Sequence, residues 1–344
     1  MCRTMRNLIC VLLLLNLGAA SRNGLRPRPE LWAFTGPWDP RSFASLRANA
    51  ARLDVAVTGW IALDSSSAKP ILPPLHPDTT RLPTSVRRMA IVTSWHGARS
   101  HPTSVRSLAG DDARLAQAAG AIATHAAAKR YGGLVLDFES LEHGDLAALL
   151  RVIKAIADSA RAHDVKSISV AIPAADTAAY PAQPIVSVAD FVMPMLYDQH
   201  WSTSDAGAIS EPDWVRSMLA MRIAEVGASK IVAALPTYGY RWTAKGETPA
   251  QSLSFAEAQQ AAKQAGVSLA RDSRTQTLRA VKAGEWEIWI TDAELLATLA
   301  RQATDAGVRR VALWRIGQED PASWRALRGL CTEPCRSKMK KGGA

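Results

Sequence analysis

Cysteine is nearly missing from this chain of 344 residues: the four are Cys2 and Cys10 near the start and Cys331 and Cys335 near the end. The long interior therefore has no disulfide framework and no thiolate set for tetrahedral zinc, and the terminal CTEPC pair closes at most a short loop in an oxidising compartment. Histidine is sparse too. The seven include His96 and His101, five apart, but no His-x-x-x-His or His-Glu-x-x-His pair, so a metal-dependent deacetylase is poorly supported and no metal is expected. No phosphate-cradling glycine loop, nucleophile elbow, internal repeat or long low-complexity tract is visible, and no cofactor is expected.

Long apolar runs are absent beyond the first seventeen residues. The run from Leu8 to Leu17, broken only by Asn16, follows Arg3 and Arg6 and precedes Gly18 and Ala20. It is short for a membrane span and has the layout of a secretory signal cut before Ser21; an uncleaved anchor is the alternative. Residues 1–20 are thus expected to direct the chain to the periplasm or the exterior, with residues 21–30 a linker and no stable span after cleavage. Acids are outnumbered, 31 against 41 lysines and arginines, for a formal charge of +10. Loss of residues 1–20 removes two arginines and no acid, which lowers it to +8. The cations are scattered apart from the basic tail at 331–344, so attraction to anionic polymers is allowed but no nucleic-acid partner is expected.

What is abundant is a rhythm. Short apolar runs at 31–34, 53–60, 89–95, 133–139, 167–172, 191–197, 231–235 and 311–314 alternate with helical stretches at 41–51, 111–129, 144–163, 211–226 and 291–306. Asp111 stands ahead of one helix, and Thr291 with Glu294 makes a capping-box spacing ahead of another. Eight strands with intervening helices predict an α/β fold, a (β/α)8 TIM barrel over 31–330, with an open doubly wound sheet as the alternative. The stretch 244–290 is too long for an ordinary connection and predicts a small α+β insertion between strands 7 and 8.

The stretch YGGLVLDFES, residues 131–140, is a buried strand that ends in two carboxylates. Side chains alternate across a strand, so Val135, Asp137 and Glu139 share one face and Leu134, Leu136 and Phe138 the other. In a barrel the larger apolar set meets the helices, which leaves the carboxylates inside, at the C-terminal end where reactive groups gather. Two neighbouring carboxyls in a confined space push their pKa values apart, and one stays protonated and able to donate.

GGLVLDFE is similar to the signature strand of glycoside hydrolase family 18, D-G-x-D-x-D-x-E, with Gly132 and Val135 where the first two acids stand. The resemblance implies Glu139 as general acid and base, and Asp137 as the residue that orients the substrate acetamido group. MPMLYDQH resembles the family's sixth-strand M-x-Y-D, placing Met195, Tyr197 and Asp198 at the sugar-binding end with Tyr197 near the acetamido carbonyl. ALPTYGYRW resembles the seventh-strand P-x-Y-G and brings in Tyr238, and VALWRIGQED resembles the last strand, with Trp314 as an apolar floor. The third-strand glycine pair is replaced by TSWHGARS. The family's mechanism implies that the substrate's own acetamido oxygen attacks the anomeric carbon, with retention, on a polymer of N-acetylglucosamine such as chitin, poly-N-acetylglucosamine or the glycan of peptidoglycan. A non-catalytic glycan-binding barrel is the alternative, because of Gly132 and Val135. The chain carries 11 tryptophans against five tyrosines and five phenylalanines, and indoles suit sugar faces. Trp60, Trp95, Trp201, Trp242 and Trp314 fall at strand ends and are candidates for a groove; Trp32, Trp214 and Trp324 read as packing residues.

Overall fold

In the computed structural model eight parallel strands close on themselves: β1 Glu30–Phe34, β2 Val55–Leu63, β3 Arg87–Thr93, β4 Gly133–Asp137, β5 Ser167–Pro173, β6 Phe191–Met195, β7 Ala233–Pro236 and β8 Arg310–Trp314. Each pairs with its neighbours in chain order, and β1 pairs with both β2 and β8, so the sheet has no break of the kind an open doubly wound fold requires. The structure describes residues 28–330 apart from 65–68, 74–78, 80, 98, 245, 247 and 248. The expected signal, most of the linker, the basic tail and the Cys331–Cys335 pair lie outside the described residues.

The two faces of the strands divide as alternation requires. Leu134, Leu136 and Phe138 join the cluster between sheet and helices, and Val135 joins Trp32, Val55, Met89 and Ala312 in the barrel interior. Each large apolar side chain taken fully out of water contributes roughly 1.5–3 kcal/mol, so reversing this register would forfeit most of the core. Gly133 is needed for a steric reason: a Cβ there would sit 2.4 Å from the Ser167 carbonyl oxygen on β5.

Helices at Pro40–Asn49, Asp112–Ala128, Leu146–Ala162, Pro212–Val226 and Ala293–Asp305 cover the sheet. Asp111 caps its helix by accepting from the Arg114 N–H. The cap of the last long helix is Asp292, whose carboxylate accepts from the Leu295 N–H, and not Thr291. Thr291 is buried and its hydroxyl has no partner, because the Asp292 side chain, one residue closer to the helix, takes the first-turn N–H.

The insertion is a five-stranded antiparallel sheet with the helix Phe255–Ala265 packed on it. Its sheet recruits Gly239–Thr243, ahead of the expected start at 244, and ends at Trp286–Ile290. That early start carries Tyr240 to the barrel mouth. Among the described residues no helix is long and apolar enough to cross a membrane.

Candidate active site

The C-terminal ends of the strands surround a cleft of about 1150 Å³, lined by Asp137, Glu139, Met195, Tyr197, Asp198, Tyr238, Trp60, Trp95 and Trp314 among others. These nine sequence-predicted residues therefore face one space.

Asp137 is the last residue of β4 and is buried. The Thr93 hydroxyl, its register partner on β3, donates to Oδ2 at 3.1 Å, while Oδ1 is buried with no partner. Burial, and then the neighbouring Glu139, push the Asp137 carboxyl well above the usual carboxylate range. Among the described residues neither Asp137 nor Glu139 forms a hydrogen bond or ion pair with a lysine or arginine, so the pair is not a charge-neutralised structural bridge.

Glu139 lies two residues past the last paired residue of β4, so the strand is shorter than the expected 133–139. The chain leaves the sheet here because its backbone bonds elsewhere. The Ser100 hydroxyl donates to the Glu139 carbonyl at 3.0 Å, and Ser140 turns the backbone with φ at 61°. On the other side, the Tyr180 hydroxyl donates to the Phe138 carbonyl at 2.8 Å and accepts from the Leu141 N–H at 3.0 Å. Tyr180 belongs to a loop fastened by Arg222, which is fully buried and donates to the carbonyls of Pro173, Ala174, Asp176 and Tyr180. The Glu139 carboxylate accepts the Trp95 indole N–H at 2.8 Å. Burial raises its pKa, and that hydrogen bond opposes the rise.

Tyr197 and Asp198 are adjacent, and on a regular strand they would point apart. Regular pairing of β6 stops at Met195, and Asp198 takes the left-handed conformation with φ at 56°, so both side chains enter the cleft. The Tyr238 hydroxyl donates to Asp198 Oδ1 at 2.5 Å. Burial raises Asp198 to about 6 despite that bond and another from Tyr240. Burial, then the charges of Asp137 and Asp198, keeps the Tyr197 hydroxyl protonated far above its ordinary range. Trp314 lies parallel to the Tyr197 ring, 9° between planes at 6.5 Å, and edge-on to Phe34 at 5.3 Å.

Two groove candidates are misplaced. Trp201 is 50% exposed, outside the cleft lining, with its N–H on Thr203. Trp242 is buried against Tyr238 and Trp289 with its N–H on the Ser204 carbonyl. Trp214, read as a packing residue, contacts the core and also lines the cleft, whereas Trp32 and Trp324 are buried. Several cleft residues escaped the sequence reading, among them Trp38, Tyr240 and Arg315. Trp38, just past β1, is 56% exposed and meets Trp60 edge-to-face at 4.8 Å. Tyr240 comes from the insertion. Arg315, just past β8, pairs with Asp39 at 2.7 Å and sits over the Trp38 ring. Burial alone would raise Asp39, but Arg41 and Arg315 together hold it down at about 2. Position relative to a strand end was the available signal for all three, Trp38 and Tyr240 each lying four residues past a barrel strand and Arg315 one.

Among the described residues no group of three or more His, Cys, Asp or Glu is gathered in a way that would hold a metal ion.

With this geometry in view, comparisons with known proteins are informative. The profile of Glycosyl hydrolases family 18 matches residues 81–319. The chain is 25% identical over 209 residues to the "Uncharacterized glycosylase YvbX" of Bacillus subtilis, covering 58% of this chain and 61% of that protein. It spans less than two thirds of the length of the curated relatives it matches. The crystal structure of the Bacillus cereus spore cortex-lytic enzyme SleL superposes with a TM-score of 0.79 at 19% identity, over 90% of this chain and 76% of that one. A Cycas revoluta chitinase in complex with (GlcNAc)3 superposes with a TM-score of 0.75 at 18% identity, over 88% of this chain and 99% of that one. These two likenesses speak for the fold.

Proposed function

The chain belongs to the family 18 glycosyl hydrolases, and from that premise we propose that it is a retaining glycosidase of N-acetylglucosamine-containing polysaccharide. The observation that carries the reading is the pair at the end of β4: two carboxylates in a cleft, without a lysine or arginine partner among the described residues, both with pKa values raised by burial. Protonated Glu139 donates to the glycosidic oxygen as that bond breaks. The substrate's acetamido oxygen closes on the anomeric carbon, forming an oxazolinium, and Asp137 and the Tyr197 hydroxyl hold the acetamide for that attack. Glu139, now a carboxylate, then takes a proton from water as the water oxygen opens the ring with net retention.

Val135 bears on this cycle. It lies one inward step below Asp137 in the apolar barrel interior, so no second acid is there to share the Asp137 proton. The proton balance at the end of β4 falls to Asp137 and Glu139, and the Glu139 charge also raises Asp198. Chitin, poly-N-acetylglucosamine and peptidoglycan glycan remain the candidate polymers, and export by the expected signal at residues 1–20 is in keeping with substrates outside the cytoplasm.

Val135 also favours a second reading, a glycan-binding barrel without turnover. Wild type and Glu139→Gln assayed for reducing-end release on chitin oligomers, peptidoglycan and poly-N-acetylglucosamine separate the two. The enzyme reading expects loss of at least about a hundredfold in the variant on the polymer that wild type cuts. Equal release by both removes Glu139 from the chemistry, and tight binding without turnover by either installs the binding protein.

A further inference from the structure

Trp95 is placed where a sugar platform is expected, yet its polar edge is committed elsewhere. The indole N–H is 2.8 Å from Glu139 Oε2. Trp95 begins a two-stranded hairpin, Trp95–His96 paired with Arg99–Ser100, whose other strand supplies the Ser100 hydroxyl to the Glu139 backbone carbonyl. One hairpin therefore holds Glu139 at both its carboxylate and its main chain. The hairpin is itself anchored: the Trp95 N–H bonds the Thr93 hydroxyl at 3.0 Å, the Ser94 N–H bonds the Asp137 carbonyl at 3.1 Å, and His101 stacks on His96 with ring centroids 3.7 Å apart.

An indole N–H donates and never accepts, whereas a protonated carboxyl has one hydroxyl and one carbonyl oxygen. The oxygen that accepts from Trp95 is thereby held as the carbonyl-type oxygen. We propose that Trp95 is a positioning residue for the acid, fixing Oε2 as the acceptor so that the transferable proton resides on Oε1 in both the acid and the base half-reactions. This rests on Glu139 being the acid and base. It also assigns the hairpin a purpose distinct from stacking on sugar, for which Trp95, 36% exposed, still has its ring face.

The charged and titratable groups around Glu139 are Asp137 on β4, Tyr197 and Asp198 beyond β6, Tyr180 from the loop after β5 and Tyr240 from the insertion, with His96 and Arg315 also on the cleft wall. Against this mostly acidic surrounding the Trp95 N–H is a contact that favours the ionised form of Glu139.

Trp95→Phe keeps an aromatic ring and deletes the N–H. On the polymer that wild type cuts fastest, kcat is expected to fall about tenfold with KM within about twofold, the size of a lost hydrogen bond to an ionisable group. The alkaline limb of the pH profile is expected to move to higher pH. A raised KM with unchanged kcat and an unmoved limb makes Trp95 a sugar platform and overturns the inference. A second measurement needs no turnover. In the full chain the Trp95 indole ¹⁵N–¹H resonance, identified by its disappearance in Trp95→Phe, is expected to shift with pH in wild type and to lose that titration in Glu139→Gln. A resonance that is flat in wild type, or that titrates unchanged in Glu139→Gln, also overturns it. Glu139→Gln with wild-type turnover would instead sink the acid and base assignment, and the resonance would still decide the hydrogen bond.

Discussion

The two walls of the cleft, facing each other across the barrel mouth, are built on opposite principles. The wall over β1 to β3 presents Trp38, Trp60, Ile71, Leu72 and Trp95, and four of these are at least 36% exposed: Trp38, Ile71, Leu72 and Trp95. The wall over β6, β7 and the insertion presents Tyr197, Asp198, Tyr238 and Tyr240, all buried or half-buried; Tyr238 and Tyr240 hydrogen-bond to Asp198, and Tyr197 meets the Tyr238 ring edge-on. Exposed apolar surface on one side is a standing invitation to a ligand with flat apolar faces; on the other, the buried Asp198 carboxyl is tolerable because the Tyr238 and Tyr240 hydroxyls satisfy it. A pyranose chain has both kinds of surface. The acid pair sits between the walls and is gripped from each side: by Trp95 and Ser100 from the first, and by Tyr180, through the loop that Arg222 fastens, from beyond β5.

The contrast can be tested where it is steepest. Asp198 keeps its proton up to about 6 because burial disfavours its charge. A carboxyl whose folded pKa is raised favours the fold below its unfolded value, near 3.8, and that contribution is lost as pH rises through about 6. Asp198→Asn, which keeps the acceptor for Tyr238, should therefore be more stable than wild type at pH 7 by up to roughly 3 kcal/mol and equal to it near pH 3. Urea midpoints measured across that range check this; a difference that does not change with pH would mean that the polar wall holds no strained charge.

A smaller effect is expected from Tyr238→Phe, which removes the donor to Asp198 Oδ1 and should lower kcat/KM about tenfold. Full activity in that variant would show that the hydrogen bonds of this wall are for packing and not for substrate. On the apolar wall the smallest change is expected. Trp38→Ala should weaken binding of an N-acetylglucosamine tetramer by roughly three- to tenfold with kcat little altered, in line with loss of one aromatic contact. Calorimetric titration into the Glu139→Gln protein measures it. A kcat effect as large as that of Tyr238→Phe would erase the distinction between the walls.

Much of the site was legible because a β-strand is a two-fold ruler. Counting along 133–139 was enough to face Val135, Asp137 and Glu139 inward and Leu134 and Leu136 outward, and the eight apolar runs were enough for eight strands in an α/β fold. Reading failed where the chain leaves regular structure. Trp201 and Trp242 each lie six residues past a barrel strand, against two for Trp95, and their N–H groups are drawn to Thr203 two residues on and to the Ser204 carbonyl 38 positions away. Thr291 and Asp292 are adjacent, and the choice of cap depends on which acceptor the first helical turn meets. Tyr240 reaches the cleft only because the insertion sheet starts at Gly239.

By itself the sequence determined the period of each element, an alternating α/β chain of eight strands, and the fact that two carboxylates share one face at a strand end, since these follow from alternation and apolar spacing within a few residues; closure of the sheet came from the pairing of β1 with β8. The tertiary structure decided the charge state and aim of those carboxylates. Glu139 meets Trp95 across 44 positions of chain, and Asp198 meets Tyr238 across 40. Desolvation and donor geometry are properties of what packs around a group in space, and no local period encodes them.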